Sequence, residues 1–375
     1  MKIGIITFSG TKDNYGQILQ IYVLQAFLRL LGHAPFLIRY RERIKDQAKF
    51  RLKNTLKYFV FLPKYISWYL ARVREKKSNL QYEAQSSNQE RKFDDFVDNY
   101  ISASKEIYDE KSIYTRRPEA DAYICGSDQI WGGSWPYYLS FAPDSAIKIA
   151  YAPSLGGIEQ FSPEYEKKLC KLLKRFVFVG MREESGVRVC KRLGRTDAMQ
   201  VVDPTLLLDQ RAYDAIRIQT RCPDNYIFLY LLGNPISRDV AEFYKFAASQ
   251  GLDVVYVASQ GRIDSFPKVP AQIGEWIDMI ANAKYVITNS YHCTVFSLIY
   301  KKKFAVIPLS RGYERMNTRI EELLTHCKLT SRILYSQELD PIKADISFSD
   351  FSQYQKIEME KSRTILTKAL SGCLN

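Results

Sequence analysis

Apolar residues fall into two rhythms along this chain, and the rhythms alternate. Residues 2–8, KIGIITF, form a short apolar run of the kind that makes a buried strand. A polar loop from Ser9 to Gly16 follows. Leu19, Tyr22, Val23, Ala26, Phe27 and Leu30 then recur at three- and four-residue spacing, which predicts an amphipathic helix over 17–31. Gly32 stops it, and PFLIRY, ending at Tyr40, supplies a second strand and completes a βαβ unit. After an interruption and a helix near 92–99, the alternation resumes. Strands are predicted at 122–125, 148–151, 176–180 and 200–202, with helices over 163–175 and 184–193. Beyond a boundary near 210–224 a second series begins, with strands at 226–232, 253–257, 285–288 and 304–308. Its helices are predicted over 237–250, 275–282 and 294–300, and a last helix over 351–370.

Strands alternating with helices of this length predict an α/β protein with parallel sheets covered on both faces. Two such series in 375 residues predict two Rossmann-like domains facing across a cleft. The first spans 1–212 and carries a basic helical insertion over about 41–100. The second spans 220–335, and a helix in 345–372 packs back on the first. Ligands in such folds bind beyond the carboxyl ends of the strands, so the cleft is the expected site.

Composition narrows this little: 46% hydrophobic and 25% charged residues are ordinary for a globular chain. No apolar stretch reaches about 18 residues, and the first residues turn polar too soon for a signal peptide, so a cytoplasmic protein is expected. Seven cysteines without a CxxC spacing, and three histidines, predict neither a disulfide framework nor a metal site. There is no GxGxxG after the first strand and no GxxxxGK[ST], so dinucleotide cofactors and P-loop ATP chemistry are not expected.

The charge changes the picture more. The net value is +13, and between Arg41 and Lys77 twelve Lys and Arg stand against three acids. Phe, Tyr, Trp and Leu are interleaved with those cations. Three readings stay open: an interfacial segment on anionic lipid at the inner face of the membrane, a single-strand nucleic-acid surface that no known motif supports, or a solvated insertion packed on the first domain.

Short polar groups follow five of the apolar strands: Asn14-Tyr15-Gly16, Gly126-Ser127-Asp128-Gln129, Arg182-Glu183-Glu184, Asp203-Pro204 and Asn289-Ser290-Tyr291-His292. In a doubly wound fold such tips converge on one cleft. The stretches DNYGQILQ, ICGSDQIW, VGMREESG, VVDPTLLL and TNSYHCTVFSLIYKKKFAVI, in this order over roughly 1–325, resemble the polysaccharide pyruvyl transferase family. The resemblance implies a glycosyltransferase-B-like fold. It also implies transfer of a pyruvyl group from phosphoenolpyruvate to two hydroxyls of a sugar, often the 4- and 6-hydroxyls of a hexose, in capsule or exopolysaccharide synthesis. Phosphate is released, no cofactor is needed, and the acceptor is expected to be lipid-linked.

The same resemblance assigns residues. His292 stands where the family has its essential histidine, and an imidazole suits a general acid near neutral pH; otherwise it is a capping or packing residue. Where many members carry a donor-binding arginine, this chain has Ser290, beside Tyr291. Arg182 then becomes the first candidate to clamp the donor anion, unless it serves only a salt bridge with Glu183 or Glu184. Arg311 and Arg315 follow as basic residues after the strand at 304–308, ranked ahead of Arg319, which would start a surface helix. Asp128 is a candidate proton acceptor or an N-cap. Asn14, Tyr15, Gln17 and Gln129 are candidates for the acceptor side. Trp131 and Trp135 offer either a sugar-stacking face or core packing, and Asp203 reads as fixing its turn. The rival enzyme is a nucleotide-sugar glycosyltransferase, with Glu275 as its only loose ribose ligand. A membrane-bound assembly factor without chemistry is the non-enzymatic alternative.

Overall fold

The computed structural model describes residues 1–42, 91–233, 236–259, 261–310, 313–336 and 338–372. Most of the basic aromatic stretch, from residue 43 onward, and Arg311 lie outside the described residues.

The first half is a seven-stranded sheet, parallel throughout, in the order β3-β2-β1-β4-β5-β6-β7. Its strands are β1 (Lys2–Ile6), β2 (Ala34–Tyr40), β3 (Ala103–Tyr108), β4 (Ala122–Gly126), β5 (Ile147–Tyr151), β6 (Phe178–Met181) and β7 (Met199–Gln200). Helices α1 (Tyr15–Leu30), α2 (Phe93–Tyr100), α3 (Ser112–Thr115), α4 (Pro163–Leu173) and α5 (Glu184–Arg192) join them, and α6 (Gln210–Asp214) leads out of this half. The second half is a four-stranded parallel sheet, β11-β10-β8-β9, made of β8 (Tyr226–Tyr230), β9 (Asp253–Tyr256), β10 (Tyr285–Thr288) and β11 (Lys303–Val306). Helices α7 (Val240–Ser249), α8 (Ile273–Asn282), α9 (Tyr291–Ile299) and α10 (Thr318–His326) accompany it. The fold is therefore α/β with two Rossmann-like parallel sheets. The long helix α11 (Ser349–Leu370) returns to the first half, where Tyr151 donates to Ser362 Oγ at 2.9 Å and Gln355 donates to the Leu208 carbonyl at 3.0 Å.

The apolar runs became strands because both faces of each central strand are covered. Ile3, Ile5, Ile124 and Ile287 are fully buried. Strand β3, which the hydrophobic pattern did not predict, is an edge strand whose Lys105, Glu106 and Ile107 are exposed. Three consecutive exposed residues put solvent on both faces of this strand, which leaves no apolar run to find. Gly126, at the end of β4, has φ +155°, and a Cβ there would fall 1.9 Å from the Tyr151 carbonyl oxygen. Only glycine lets β4 and β5 part at this point.

Strand order reverses between β1 and β4 in one sheet and between β8 and β10 in the other. The loops after those strands therefore open at the two switch points. The halves also share apolar packing. Tyr15 of α1 is fully buried, stacks on Trp276 of α8 (ring centres 5.1 Å apart, 7° between planes) and donates to the Ala271 carbonyl at 2.7 Å. Sequence reasoning placed Tyr15 among the acceptor ligands; the structure corrects this, because both the ring and the hydroxyl are used in joining the two halves.

Candidate functional site

The site is assembled where β10 ends. The Asn289 side chain accepts from Leu232 N–H (2.7 Å) and donates to the Leu232 carbonyl (3.2 Å), tying the tip of β10 to that of β8. Ser290 is the N-cap of α9, its Oγ accepting from Cys293 N–H at 3.4 Å. The helix thus starts at Tyr291, earlier than the Thr294 that periodicity suggested, and His292 sits in its first turn. The buried Ser290 hydroxyl therefore shapes the backbone at the start of α9.

The His292 imidazole is caught between the halves. Its side chain is 12% exposed, and Nε2 lies 3.5 Å from Asp203 Oδ2 without a hydrogen-bond partner among the described residues. On its other side stands Gly16 of α1, where a Cβ would come within 2.1 Å of Nδ1. The glycine of the DNYGQ motif is what lets the first half close over this histidine.

Asp203 turns out to be the hub. Its Oδ1 accepts from Thr205 N–H (3.0 Å) and Thr205 Oγ1 (2.7 Å), the turn-fixing role read from the sequence. Its Oδ2 accepts from Ser127 Oγ (2.9 Å) and Arg182 Nη1 (3.0 Å) and faces His292. Burial alone would raise this carboxyl; His292, Arg182 and the Thr205 amide outweigh burial and hold it well below the usual carboxylate range. Sequence reasoning missed this second duty. The local turn already accounts for an Asp at this position, so no sequence signal marked the second duty.

Arg182 is buried as well. Nε donates to Glu183 Oε1 at 3.2 Å, and the guanidinium carbon lies 5.5 Å from the centre of the Tyr291 ring. Burial disfavours its charge, but Glu183 and Asp203 more than restore it, so the group is held protonated. The salt bridge read from the sequence exists, and it places the cation beside His292. Nη2 remains buried without a partner among the described residues.

Of Arg315 and Arg319, it is Arg319 that reaches the cluster. Arg319 does not simply open a surface helix: its side chain is 13% exposed, with Nε 3.9 Å from Glu183 Oε1. The Gln129 amide, turned so that its oxygen faces Arg319, accepts from both terminal nitrogens at 3.1 and 2.9 Å. Burial and the neighbouring Arg182 press the Arg319 pKa down, against Glu183 and Asp128. Arg315, by contrast, is exposed. A helical spacing that looked like a surface helix start concealed which arginine faces inward.

On the acceptor side, Asn14 caps α1 by accepting from Gln17 N–H at 3.2 Å, and Gln17 Nε2 donates to Asp128 Oδ2 at 2.9 Å. Asp128 adopts the left-handed conformation (φ +68°), and its Oδ1 takes the Gln129 N–H at 2.8 Å. Gln17, Asp128 and Gln129 are therefore linked to one another, and through Arg319 to Glu183. Trp131 is buried, with its indole N–H donated to the Tyr137 carbonyl at 3.2 Å, while Trp135 lies under the Lys168 ammonium at 4.0 Å. Glu275 accepts from Gln272 N–H at 2.8 Å and serves α8 as a cap.

Two spaces adjoin the cluster. An inner cavity of about 20 Å³, room for one water, touches Arg182, Asp203, Tyr291 and Arg319. A groove of about 830 Å³ runs outward between residues 156–160 and 313–319, and Arg319 borders both. Among the described residues no group of three or more His, Cys, Asp or Glu is placed to hold a metal ion, and no helix is long and apolar enough to cross a membrane.

A sequence model of the family described as polysaccharide pyruvyl transferase matches residues 14–311. No curated protein matches. Among solved structures, the chain is similar to a UDP-N-acetylglucosamine 2-epimerase from Rickettsia bellii (8% identity, TM-score 0.47, covering 99% of this chain and 96% of the other). It is also similar to the Anabaena protein HepE in complex with UDP and glucose (10% identity, TM-score 0.47, 99% and 100%). A third is the glycosyltransferase SnogD from Streptomyces nogalater (14% identity, TM-score 0.40, 98% of each chain).

Proposed function

The chain belongs to the polysaccharide pyruvyl transferase family, and on that premise we propose that it transfers a pyruvyl group from phosphoenolpyruvate to two hydroxyls of a hexose, as a 4,6-ketal, during capsule or exopolysaccharide assembly. The observation that carries this reading is the placement of His292 against a buried, ionised Asp203, with the guanidinium groups of Arg182 and Arg319 beside it.

His292, whose Nε2 lies 3.5 Å from that carboxylate, is the general acid of this reading and gives the first proton. That proton goes to the methylene carbon of the enol phosphate, leaving C2 electron-poor. A sugar hydroxyl adds to C2, and Asp128 is the candidate to take its proton. The C2–O bond to phosphate then breaks with its electron pair, and the second hydroxyl closes the ring. One hydroxyl proton restores the imidazolium and the other leaves with phosphate. The donor carries a phosphate and a carboxylate, for which Arg182 and Arg319 supply charge and Arg182 Nη2 an unused donor. In this reading Arg319 takes the place left by Ser290. The acceptor is lipid-linked, and the basic stretch over 41–77 meets the anionic membrane surface that would carry it. Glu275, the residue that the nucleotide-sugar alternative would use for a ribose, caps a helix instead, which counts against that alternative.

Incubation with phosphoenolpyruvate and a lipid-linked galactoside should release phosphate without any nucleotide product. His292→Ala should reduce that release by about a thousandfold while the variant still folds and unfolds cooperatively. Full release in the variant, or release only with a nucleotide sugar, would overturn the reading.

A further inference from the structure

We propose that the groove between residues 156–160 and 313–319 receives the acceptor glycan, and that this glycan carries a phosphate or carboxylate which meets Arg315. The word acceptor rests on the pyruvyl-transfer reading; the binding of an anionic sugar does not.

The groove has an inner and an outer end, and neighbouring residues set the order. A Cβ on Gly156 would fall 2.9 Å from Gln129 Oε1, and Gln129 holds Arg319. A Cβ on Gly157, one residue on, would instead fall 3.4 Å from Arg315 Cβ. Gly156 thus marks the end nearest the His292 cluster and Gly157 the end farther out, about 3.8 Å along the chain. Both glycines have positive φ (+61° and +81°), so the floor is bare backbone that a sugar ring can approach closely. Tyr313, 37% exposed, adds a ring to the opposite wall.

At about 830 Å³ the space is far larger than a three-carbon enol phosphate requires and falls within the range that holds a whole ligand. Its charges are unevenly used. Glu183 is taken by Arg182 at 3.2 Å. Glu159 faces Arg188 at 3.8 Å, and Arg319 lies 3.9 Å from Glu183. Arg315 has no acidic partner within 4 Å among the described residues. Three guanidinium groups therefore border one groove and none holds a carboxylate tightly, which leaves the outer end positive and concave. The ligand chemistry that fits is a saccharide with one negative group a short distance from the reacting hydroxyls.

The test measures binding calorimetrically on the full chain, with galactose 1-phosphate, galacturonate and neutral methyl galactoside as probes and phosphoenolpyruvate titrated separately. At least one anionic sugar should bind about tenfold tighter than the neutral one, the size of one charge-assisted contact. Arg315→Gln should erase the preference, Arg315→Lys should keep part of it, and the dissociation constant for phosphoenolpyruvate should stay within about twofold. A preference for the phosphate probe or for galacturonate identifies the source of the charge; either supports the proposal. Equal binding of all three sugars, a preference indifferent to Arg315→Gln, or a loss confined to phosphoenolpyruvate would overturn it. Failure of phosphate release in the transfer assay, with the Arg315-dependent preference intact, would sink the proposed reaction and leave this site standing.

Discussion

The inner cluster and the outer groove use the same residue types in opposite ways. Around Asp203, which is fully buried, both carboxylate oxygens are engaged and the guanidinium of Arg182 is locked by two acids. Out of water such pairings are strong, and leaving one partner unpaired is costly, so the cluster is held in a single arrangement. Along the groove, Arg315 is exposed and the floor is glycine. Exposed charges there contribute little to stability and remain available to a ligand. The contrast separates two tasks. The rigid part presents one imidazole in one geometry, and the open part can differ in what it accepts without disturbing the chemistry.

The strongest challenge to this division is Asp203→Ala. Removing the hub leaves Arg182 buried with one acid fewer, and the expected loss is about 3–5 kcal/mol of unfolding free energy, together with most of the activity. The effect carries a pH signature. The folded carboxyl lies below its unfolded value of about 3.9. Its contribution is therefore complete above that value and fades as the pH falls toward the folded one. Urea midpoints of wild type and variant should differ fully at pH 6 and converge below about pH 4. A gap unchanged at pH 3, or one under about 1 kcal/mol at pH 6, would show that the cluster is not held by this charge.

How far the sequence shows this architecture depends on which force acts at each position. Strands such as β1 and β10 were legible because both of their faces are buried, and α1 because its apolar stripe is long. Strand β3 was not, since Lys105 and Glu106 face water. Polar groups after strands marked the cleft, and His292 stood out within its motif. The roles of Tyr15 and Arg319 depend on the approach of two halves distant in sequence, Tyr15 meeting Ala271 and Arg319 meeting Gln129. Periodicity within one helix carries no information about that approach. Asp203 hid for a related reason: its local turn explained it completely, so nothing called for a partner.

A subtler disturbance leaves every charge in place and moves only the histidine. In Gly16→Ala the new methyl would meet the imidazole at distances no packed atoms tolerate, so either α1 withdraws or His292 turns. Overpacking of this kind costs about 1–3 kcal/mol, and a shift of about 1 Å at the reacting group about a hundredfold in kcat. Steady-state kinetics should show kcat falling with the KM for phosphoenolpyruvate nearly constant, while sugar binding in the groove is unaltered. If kcat holds, the contact between the halves at Gly16 does not position the imidazole.

The mildest change tests whether the cap at the start of α9 belongs to the rigid part. Ser290 Oγ is buried and accepts from Cys293 N–H, so Ser290→Ala removes one cap and little volume. The expected cost is about 1 kcal/mol. Because His292 sits in that first turn, a frayed cap should widen the range of imidazole positions and lower kcat by a few-fold, with Ser290→Thr restoring most of it. A hydroxyl that instead touches the donor would behave differently: its loss would raise the KM for phosphoenolpyruvate and leave the unfolding midpoint where it was. The split between these two patterns decides whether the residue standing in for the family arginine acts through the helix or on the substrate.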